Sequence, residues 1–596
     1  MKLSDLHNKY VEWIHQHMSD YSYTLLLSVV VGIASGLAAV VLKTLVHTTN
    51  SLLLEFSVTT KIGGNFLIFF YPAIGIALTV LFVKYVVKGN IGHGIPEVLL
   101  SISRHQGELP AKNMWSSLVA STITVAFGGS VGLEAPIAST GSAIGSNIGR
   151  WSKLDPRYIK MLLGCGAAGA IAGIFNAPIA GMLFVVEVLM FDFTKTSAIP
   201  LLLSALSASV IAFFLMGSDV QFAYTVTTEF ELYQIPFYII LGAFCALSSI
   251  HFLRMSDKIE EICAKVKKPM TRMIVGGLAL GLMIYIFPPL FGEGYGSLTG
   301  LLDGNSDVLF EHSLFANFAD KTWAVLILLL LLIFMKVVAT ATTIGSGGVG
   351  GTFGPSLIVG GISGYFVATL CNFIGMTPQD TSNFTLVGMA AVMTGVMHAP
   401  LMATFLIAEI TGGYELMVPL LIASSTTLVF IRPFEKHSIY ARKLAKHGDL
   451  LTHDKDSSAW QLINMRELIE TDFVIVREGD TLRDLVEAIK NSRRNVFPVL
   501  TADDKFLGAI HFDSVRKIIF KPELYDKLEV VDIINPITEG DIVHLTDSPS
   551  SIVDKFQVGR RYNLIVLDED ETYVGILSRA NTFSAYRAFV AEASEE

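Results

Sequence analysis

Three short stretches of this chain join glycine to proline in a way that lets backbone meet an ion: Gly92-His93-Gly94-Ile95-Pro96, Gly132-Leu133-Glu134-Ala135-Pro136 and Gly351-Thr352-Phe353-Gly354-Pro355. Proline suits the first turn of a helix, where its missing N–H had no helical partner. Glycine lets backbone approach closely. Each stretch therefore predicts a helix start, and helix starts converging on one point can hold an anion through unpaired N–H groups and partial positive charge. The candidate anion contacts are Gly92, His93, Gly94, Ile95, Pro96, Leu133, Ala135, Gly351, Thr352, Phe353 and Gly354. Glu134 is a carboxylate placed at such a start, able to occupy the site of a substrate anion and to vacate it when protonated or displaced. Gate and proton carrier is the sharper reading; a glutamate capping its own helix is the plainer one.

The elements that position these residues belong in a membrane. Of 596 residues, 52% are hydrophobic and 16% charged, against about 25% charged in a soluble domain. With 43 Lys+Arg against 53 Asp+Glu the net charge is -10, which argues against a nucleic-acid partner. Tyr23 to Val46 is long and apolar enough to cross about 30 Å of hydrocarbon. Similar runs follow at Phe66 to Val87, Pro200 to Met216, Tyr233 to Phe252, Met273 to Phe287, Trp323 to Val338, Phe366 to Ile374 and Met417 to Phe430. Between them, GGSVGLEAPIASTGSAIG and GSGGVGGTFGPSLIVGGISG look too irregular for simple spanning helices, and such backbone survives at membrane depth only when buried in protein or lining a wet cavity. Residues 1–22 lack signal-peptide features and read as a retained cytoplasmic amphipathic helix, which fits a plasma membrane location. Cys165, Cys245, Cys263 and Cys371 have no C-x-x-C spacing, so neither a disulfide framework nor a metal site is expected.

The membrane body repeats itself. A shift of 219 residues superimposes Gly128, Gly129, Gly132, Pro136, Gly141 and Gly145 on Gly347, Gly348, Gly351, Pro355, Gly360 and Gly364. A shift of 222 pairs Gly166, Ala168, Gly173, Ala177, Pro178 and Glu187 with Gly388, Ala390, Gly395, Ala399, Pro400 and Glu409. The loop after the first glycine motif carries Arg150, Lys153, Arg157 and Lys160, whereas its counterpart, Met376 to Phe384, has no Lys or Arg. By the positive-inside rule the two loops face opposite sides, giving an inverted repeat with its site near the midplane, an architecture of transport proteins. The basic stretches Arg254 to Arg272 and Arg432 to Lys446 should both be cytoplasmic.

The three motifs, in this order, resemble those of the CLC family of chloride channels and chloride/proton exchangers, usually GSGIP, G-[K/R]-E-G-P and G-x-F-x-P, over roughly residues 20 to 445. The resemblance implies a polytopic α-helical membrane protein with inverted-repeat architecture and broken helices. It also implies a homodimer with an anion pathway in each subunit, the amides of Thr352 and Phe353 holding a central anion, and Glu134 as the external gate. The chain departs from the pattern in several places. His93 replaces a serine whose hydroxyl in the family meets the anion; His93 either adds an N–H donor and pH dependence or turns away. Leu133 and Ala135 replace a base and a glycine. Glu187 is retained, but the exchangers' internal proton-transfer glutamate falls on Val188. Aligning through Ala441-Arg442 places Lys436 in the register of the family's inner-gate tyrosine, with Tyr440 one turn further on. Glu187 and Glu409, at equivalent places in both halves, suit helix capping or pairing better than chemistry.

After about residue 445 two similar units run strand, turn, helix, strand, strand, helix, and FPVLTADDKFLGAIHFDSV aligns with LIVLDEDETYVGILSRANT. They resemble paired CBS domains, an α+β (Bateman) module that often binds adenine nucleotides. The resemblance implies a ligand site at Gly575, Ser578 and Asn581 in the second unit, with Gly508, His511 and Ser514 a degraded equivalent; a structural dimerising tail is the alternative. The expected domains are thus 1–22; a membrane body 23–445 with halves of about 23–216 and 233–434; a first CBS unit with linker at 446–535; and a second at 536–596. An intramembrane protease would need H-E-x-x-H, which is absent, and a cation transporter would need several carboxylates facing one cavity. The expected function is chloride transport across the plasma membrane in exchange for protons, gated by Glu134, with no catalytic set and no required cofactor. A passive gated chloride channel is the alternative.

Overall fold

The computed structural model describes residues 14, 16–59, 66–89, 94–217, 222, 230–311, 313–377, 379–447, 465–535, 538–558 and 562–595. Gly92, His93 and most of residues 1–22 lie outside the described residues. Two units separate, Met1–Leu450 and Leu451–Glu596.

In the first unit the helices are α1 (Asp20–Thr59), α2 (Phe66–Phe82), α3 (Ile95–Arg104), α4 (Asn113–Ala126), α5 (Glu134–Trp151), α6 (Pro156–Phe175), α7 (Pro178–Glu187) and α8 (Lys195–Met216). They continue with α9 (Ile235–Lys265), α10 (Pro269–Ile286), α11 (Tyr295–Leu302), α12 (Thr322–Gly345), α13 (Phe353–Phe373), α14 (Thr381–Met397), α15 (Pro400–Thr411), α16 (Met417–Ile431) and α17 (Ile439–His447). Among the described residues, eight helices are long and apolar enough to cross a membrane. Large apolar side chains such as Leu26, Val210, Phe214 and Val429 face outward, as a hydrocarbon solvent requires.

The glycine-rich segments break the helices as expected, but less widely than the sequence suggests. Each is an extended turn followed by a regular helix, and α13 is itself one of the eight spans, so Phe366 to Ile374 is its end rather than a separate crossing. Their glycines serve packing. A Cβ on Gly141 would run into the carbonyl of Gly166, and one on Gly166 into that of Gly141; Gly360 and Gly388 stand in the same relation. α5 therefore lies tightly on α6, and α13 on α14, the small-residue contact that brings helices together where lipid leaves little hydrophobic drive.

The repeat extends to the ends of the helices. α1 packs across α6 and α8, and α9 packs across α14 and α16. α6 and α14 end on left-handed residues 222 positions apart, Asn176 (φ 56°) and His398 (φ 57°). Glu409 accepts the N–H groups of Ile179 (3.0 Å) and Ala180 (2.8 Å) at the start of α7. Reciprocally, Glu187 accepts those of Leu401 (3.2 Å) and Met402 (2.7 Å) at the start of α15. Each half thus caps a helix of the other, the structural role expected of these acids.

In the second unit, β1 (Ile469–Glu470), β2 (Val476–Arg477), α18 (Leu482–Asn491), β3 (Val496–Leu500), β4 (Phe506–His511) and α19 (Phe512–Val515) precede β5 (Ile542–His544), α20 (Pro549–Val558), β6 (Asn563–Leu567), β7 (Tyr573–Ser578) and α21 (Arg579–Glu595). The sheets are β2-β3-β4 and β1-β7-β6-β5. Both carry a parallel pair, an antiparallel pair and a register shift at matching places, Val499/Leu500 and Val566/Leu567. A boundary at 535/536 does not divide the strands cleanly, because β1 pairs with β7 through Ile469↔Leu577 and Glu470↔Ile576.

Candidate functional site

Three helix starts meet in the first unit: α3 behind Gly94, α5 behind Leu133 and α13 behind Thr352. The second and third motifs are joined directly, Gly132 N–H donating to Gly351 O (2.9 Å) and Gly351 N–H to Gly132 O (2.7 Å). Side chains hold this bridge symmetrically: Thr124 Oγ1 accepts Val349 N–H (3.0 Å) and Thr343 Oγ1 accepts Ser130 N–H (3.3 Å). The threonines and the amides they hold are again 219 apart. The turns need glycine because Gly128 (φ 86°) and Gly347 (φ 106°) sit in left-handed backbone. Gly94 (φ 71°) completes the convergence, since a Cβ there would lie 3.4 Å from that of Ala135.

Glu134, 1% exposed, meets its own backbone N–H at the start of α5 and also reaches beyond its own helix. Its Oε2 accepts the N–H of Gly354 at 3.2 Å, in the first turn of α13, and its Oε1 accepts the Tyr295 hydroxyl at 2.6 Å. The carboxylate of one motif thus occupies the helix start of the other, where the partial positive charge favours an anion. Of the sequence-derived contacts, Gly94, Pro96, Ala135, Gly351 and Thr352 line one cavity of about 540 Å³. Ile95, Leu133 and Phe353 bury their side chains in the core, the Phe353 ring stacking on Phe175 at 5.6 Å, so any contact they make with an ion is through backbone. Gly354 is engaged with Glu134.

The cavity runs to a mouth lined by Lys84, Arg272 and Lys443 with Asp257 and Glu260. Ion pairs tie α17 to α9 here: Arg442 to Asp257 (2.9 Å), and Lys443 to Glu260 (2.9 Å). Arg442 also meets Glu435, which Arg254 contacts at 2.7 Å. The two basic stretches expected on one side of the membrane accordingly share one face of the body. Of the two residues named for the inner gate, Tyr440 lines the cavity, 5% exposed, with its hydroxyl 3.5 Å from Thr352 Oγ1, whereas Lys436 is not among the lining residues. Val188 is buried, 2% exposed, at the C-terminal end of α7. Tyr295 and Lys336 had no signal in the motifs; the Lys336 ammonium, 1% exposed, donates to Ser130 Oγ (2.9 Å) and Gly292 O (3.0 Å).

In the tail, Gly575, Ser578 and Asn581 lie at one strand-to-helix corner under β1. Asn581 N–H is 3.4 Å from Ser578 Oγ, and Asn581 Nδ2 is 3.4 Å from Glu470 Oε1. Arg494 neutralises Glu470 at 2.6 Å. At the other corner Ser514 Oγ donates to His511 O (2.6 Å) and meets Asn535 Oδ1 (3.0 Å), which also accepts His511 N–H (3.1 Å). A Cβ on Gly508 would meet Ile534.

Comparison with known proteins places this arrangement. The voltage gated chloride channel family matches residues 74–432 and the CBS domain matches residues 465–521. A ClcB-like chloride channel protein of Ralstonia nicotianae is 30% identical over 63% of this chain and 85% of its own length. An H(+)/Cl(-) exchange transporter, ClcA, of Vibrio cholerae is 26% identical over 70% of this chain and 88% of its own. In fold, a slow cyanobacterial Cl-/H+ antiporter superimposes with a TM-score of 0.61 at 22% identity, covering 71% of this chain and 97% of the other. A eukaryotic CLC transporter does so with a TM-score of 0.61 at 19% identity over 94% and 97%. Since the family match spans more than half of the chain, this protein belongs to the voltage gated chloride channel (CLC) family, with a CBS domain following its membrane body.

Proposed function

We propose that this protein exchanges chloride, or another small anion, for protons across the plasma membrane. The observation that carries this reading is the Glu134 carboxylate seated at the start of α13, bonded to Gly354 N–H and Tyr295 OH. An anion entering by the cavity competes with that carboxylate for the same amides, and the displaced carboxylate takes up a proton. Gly92, His93, Gly94, Ile95, Pro96, Leu133, Ala135, Gly351, Thr352, Phe353 and Gly354 form the anion path in this reading, largely through backbone. Each subunit of a homodimer has its own path, and both termini are cytoplasmic. The CBS tail modulates transport and takes an adenine nucleotide at Gly575, Ser578 and Asn581.

A passive channel is the second reading, favoured by one residue: Val188 supplies no carboxylate at the inner end of α7. Sealed liposomes holding the purified chain separate the two. A chloride gradient, with voltage set by potassium and valinomycin, should drive protons uphill; chloride flux without proton movement would establish the channel.

A further inference from the structure

The 2.6 Å bond from the Tyr295 hydroxyl to Glu134 joins segments 161 positions apart, and both ends hang from glycine-rich turns. Tyr295 follows a turn in which Gly292 (φ 58°) and Gly294 (φ 94°) adopt left-handed backbone, and Glu134 follows one that opens at Gly128 (φ 86°). Glycine permits such turns without holding them. The bond therefore depends on what ties one turn to the other.

Lys336 ties them. Its ammonium, 1% exposed on α12, donates to Ser130 Oγ (2.9 Å), four residues before Glu134, and to Gly292 O (3.0 Å), three before Tyr295. A backbone bond runs beside this clamp, Gly292 N–H donating to Gly128 O at 3.3 Å. Two turns along α12 from Lys336, Thr343 Oγ1 accepts the Ser130 N–H at 3.3 Å, so one helix grips Ser130 by amide and hydroxyl together. The amide grip recurs in the other half, where Thr124 holds Val349. The ammonium clamp does not, since the 219-residue shift places Lys336 on Ser117 and Ser130 on Val349. Both partners of the ammonium are neutral, so its charge is buried at a cost that the shared scaffold does not require. The inner cavity has neither Lys336 nor Tyr295 in its lining.

We propose that Lys336 is a positioning residue of the gate: it clamps the turn at 292–294 to the first glycine motif, so that Tyr295 stays bonded to Glu134 and holds the carboxylate in the seat an anion must take. Loosening the clamp frees the carboxylate to leave, and an entering anion then wins the seat at lower concentration. The clamp rests on the proposed competition between Glu134 and the anion, yet its test does not require coupled exchange.

The test reads chloride flux from liposomes containing the full chain over a range of chloride concentrations. Lys336→Met should lower the half-saturating chloride concentration by about tenfold, the scale of one hydrogen bond to a charged group, and Tyr295→Phe should lower it as far. The direct pull of the lost ammonium acts alike on the carboxylate and on chloride, two single negative charges contesting one seat, so it leaves their competition unchanged. The two substitutions together should go no further than Tyr295→Phe alone, because clamp and hydroxyl act in series. Ser130→Ala keeps the ammonium and breaks one leg of the clamp; it should lower the concentration about threefold, the scale of one ordinary hydrogen bond, and it decides the matter where Lys336→Met fails to fold. A lysine that only supports the fold would slow flux or deplete folded protein without tightening chloride. A half-saturating concentration unchanged or raised in Ser130→Ala and Lys336→Met, or a double variant well below Tyr295→Phe alone, would overturn the clamp. If chloride crosses without proton movement, the exchange reading fails while the half-saturating concentrations still decide the clamp.

Discussion

The two halves of the membrane body share a scaffold and divide the chemistry. The 219-residue shift that superimposes Gly132 on Gly351 also places Glu134 on Phe353. Both residues begin a helix, α5 and α13. One side chain reaches from the start of its own helix to the start of the other, while the second turns into the core and leaves its backbone N–H groups near the site. Symmetric backbone thus creates two facing helix starts, and one asymmetric pair of side chains decides which is the site and which supplies the gate. Elsewhere symmetry reaches the side chains: Thr124 with Thr343, and Glu187 with Glu409, each stabilise the opposite half.

The comparison breaks first at the asymmetric pair. Glu134→Gln should lower proton movement at least about 100-fold, the scale of losing a proton carrier, with chloride flux persisting and no longer acid-dependent; liposome flux assays read both. Next come the paired glycines. Gly166→Ala and Gly388→Ala should each cost about 1–3 kcal/mol through overpacking against the opposed helix, seen as matched drops in the melting temperature of the detergent-solubilised protein. Glu187→Gln and Glu409→Gln should each cost about 1 kcal/mol as lost caps, again by melting temperature, with the proton-to-chloride ratio unchanged. A changed ratio in Glu187→Gln alone would make that residue the inner proton carrier and end its equivalence with Glu409. Smallest, Thr124→Val and Thr343→Val should each lose about 0.5–1.5 kcal/mol for one backbone bond. The Thr124 change should be the larger, because that hydroxyl also bonds Thr79 at 2.9 Å.

Much of this was legible in the chain. The glycine registers revealed the repeat, and the close approaches of Gly141, Gly166, Gly360 and Gly388 explain why those positions matched. The irregularity read into the same segments lies in the turns that break the helices; beyond them the helices are regular, because glycine, which weakens a helix in water, permits between membrane helices the contacts that stabilise one. Glu134 announced itself by its motif, whereas Tyr295, 161 positions away, carried no local pattern linking the two. Lys336 lies 206 positions from Ser130 inside an otherwise apolar span, and only folding shows that it faces inward. Tyr440 was not assigned to the site because the alignment through Ala441-Arg442 carried a helical register back to Lys436, which precedes α17, whereas Tyr440 lies on that helix at the cavity.

Competition between Glu134 and an anion for the start of α13 is tested most directly by calorimetric titration of chloride into the purified chain and into Glu134→Ala. If the carboxylate holds an anion site, its removal should add one bound chloride per subunit without abolishing the binding already present. An unchanged stoichiometry would show that Glu134 does not stand where an anion binds.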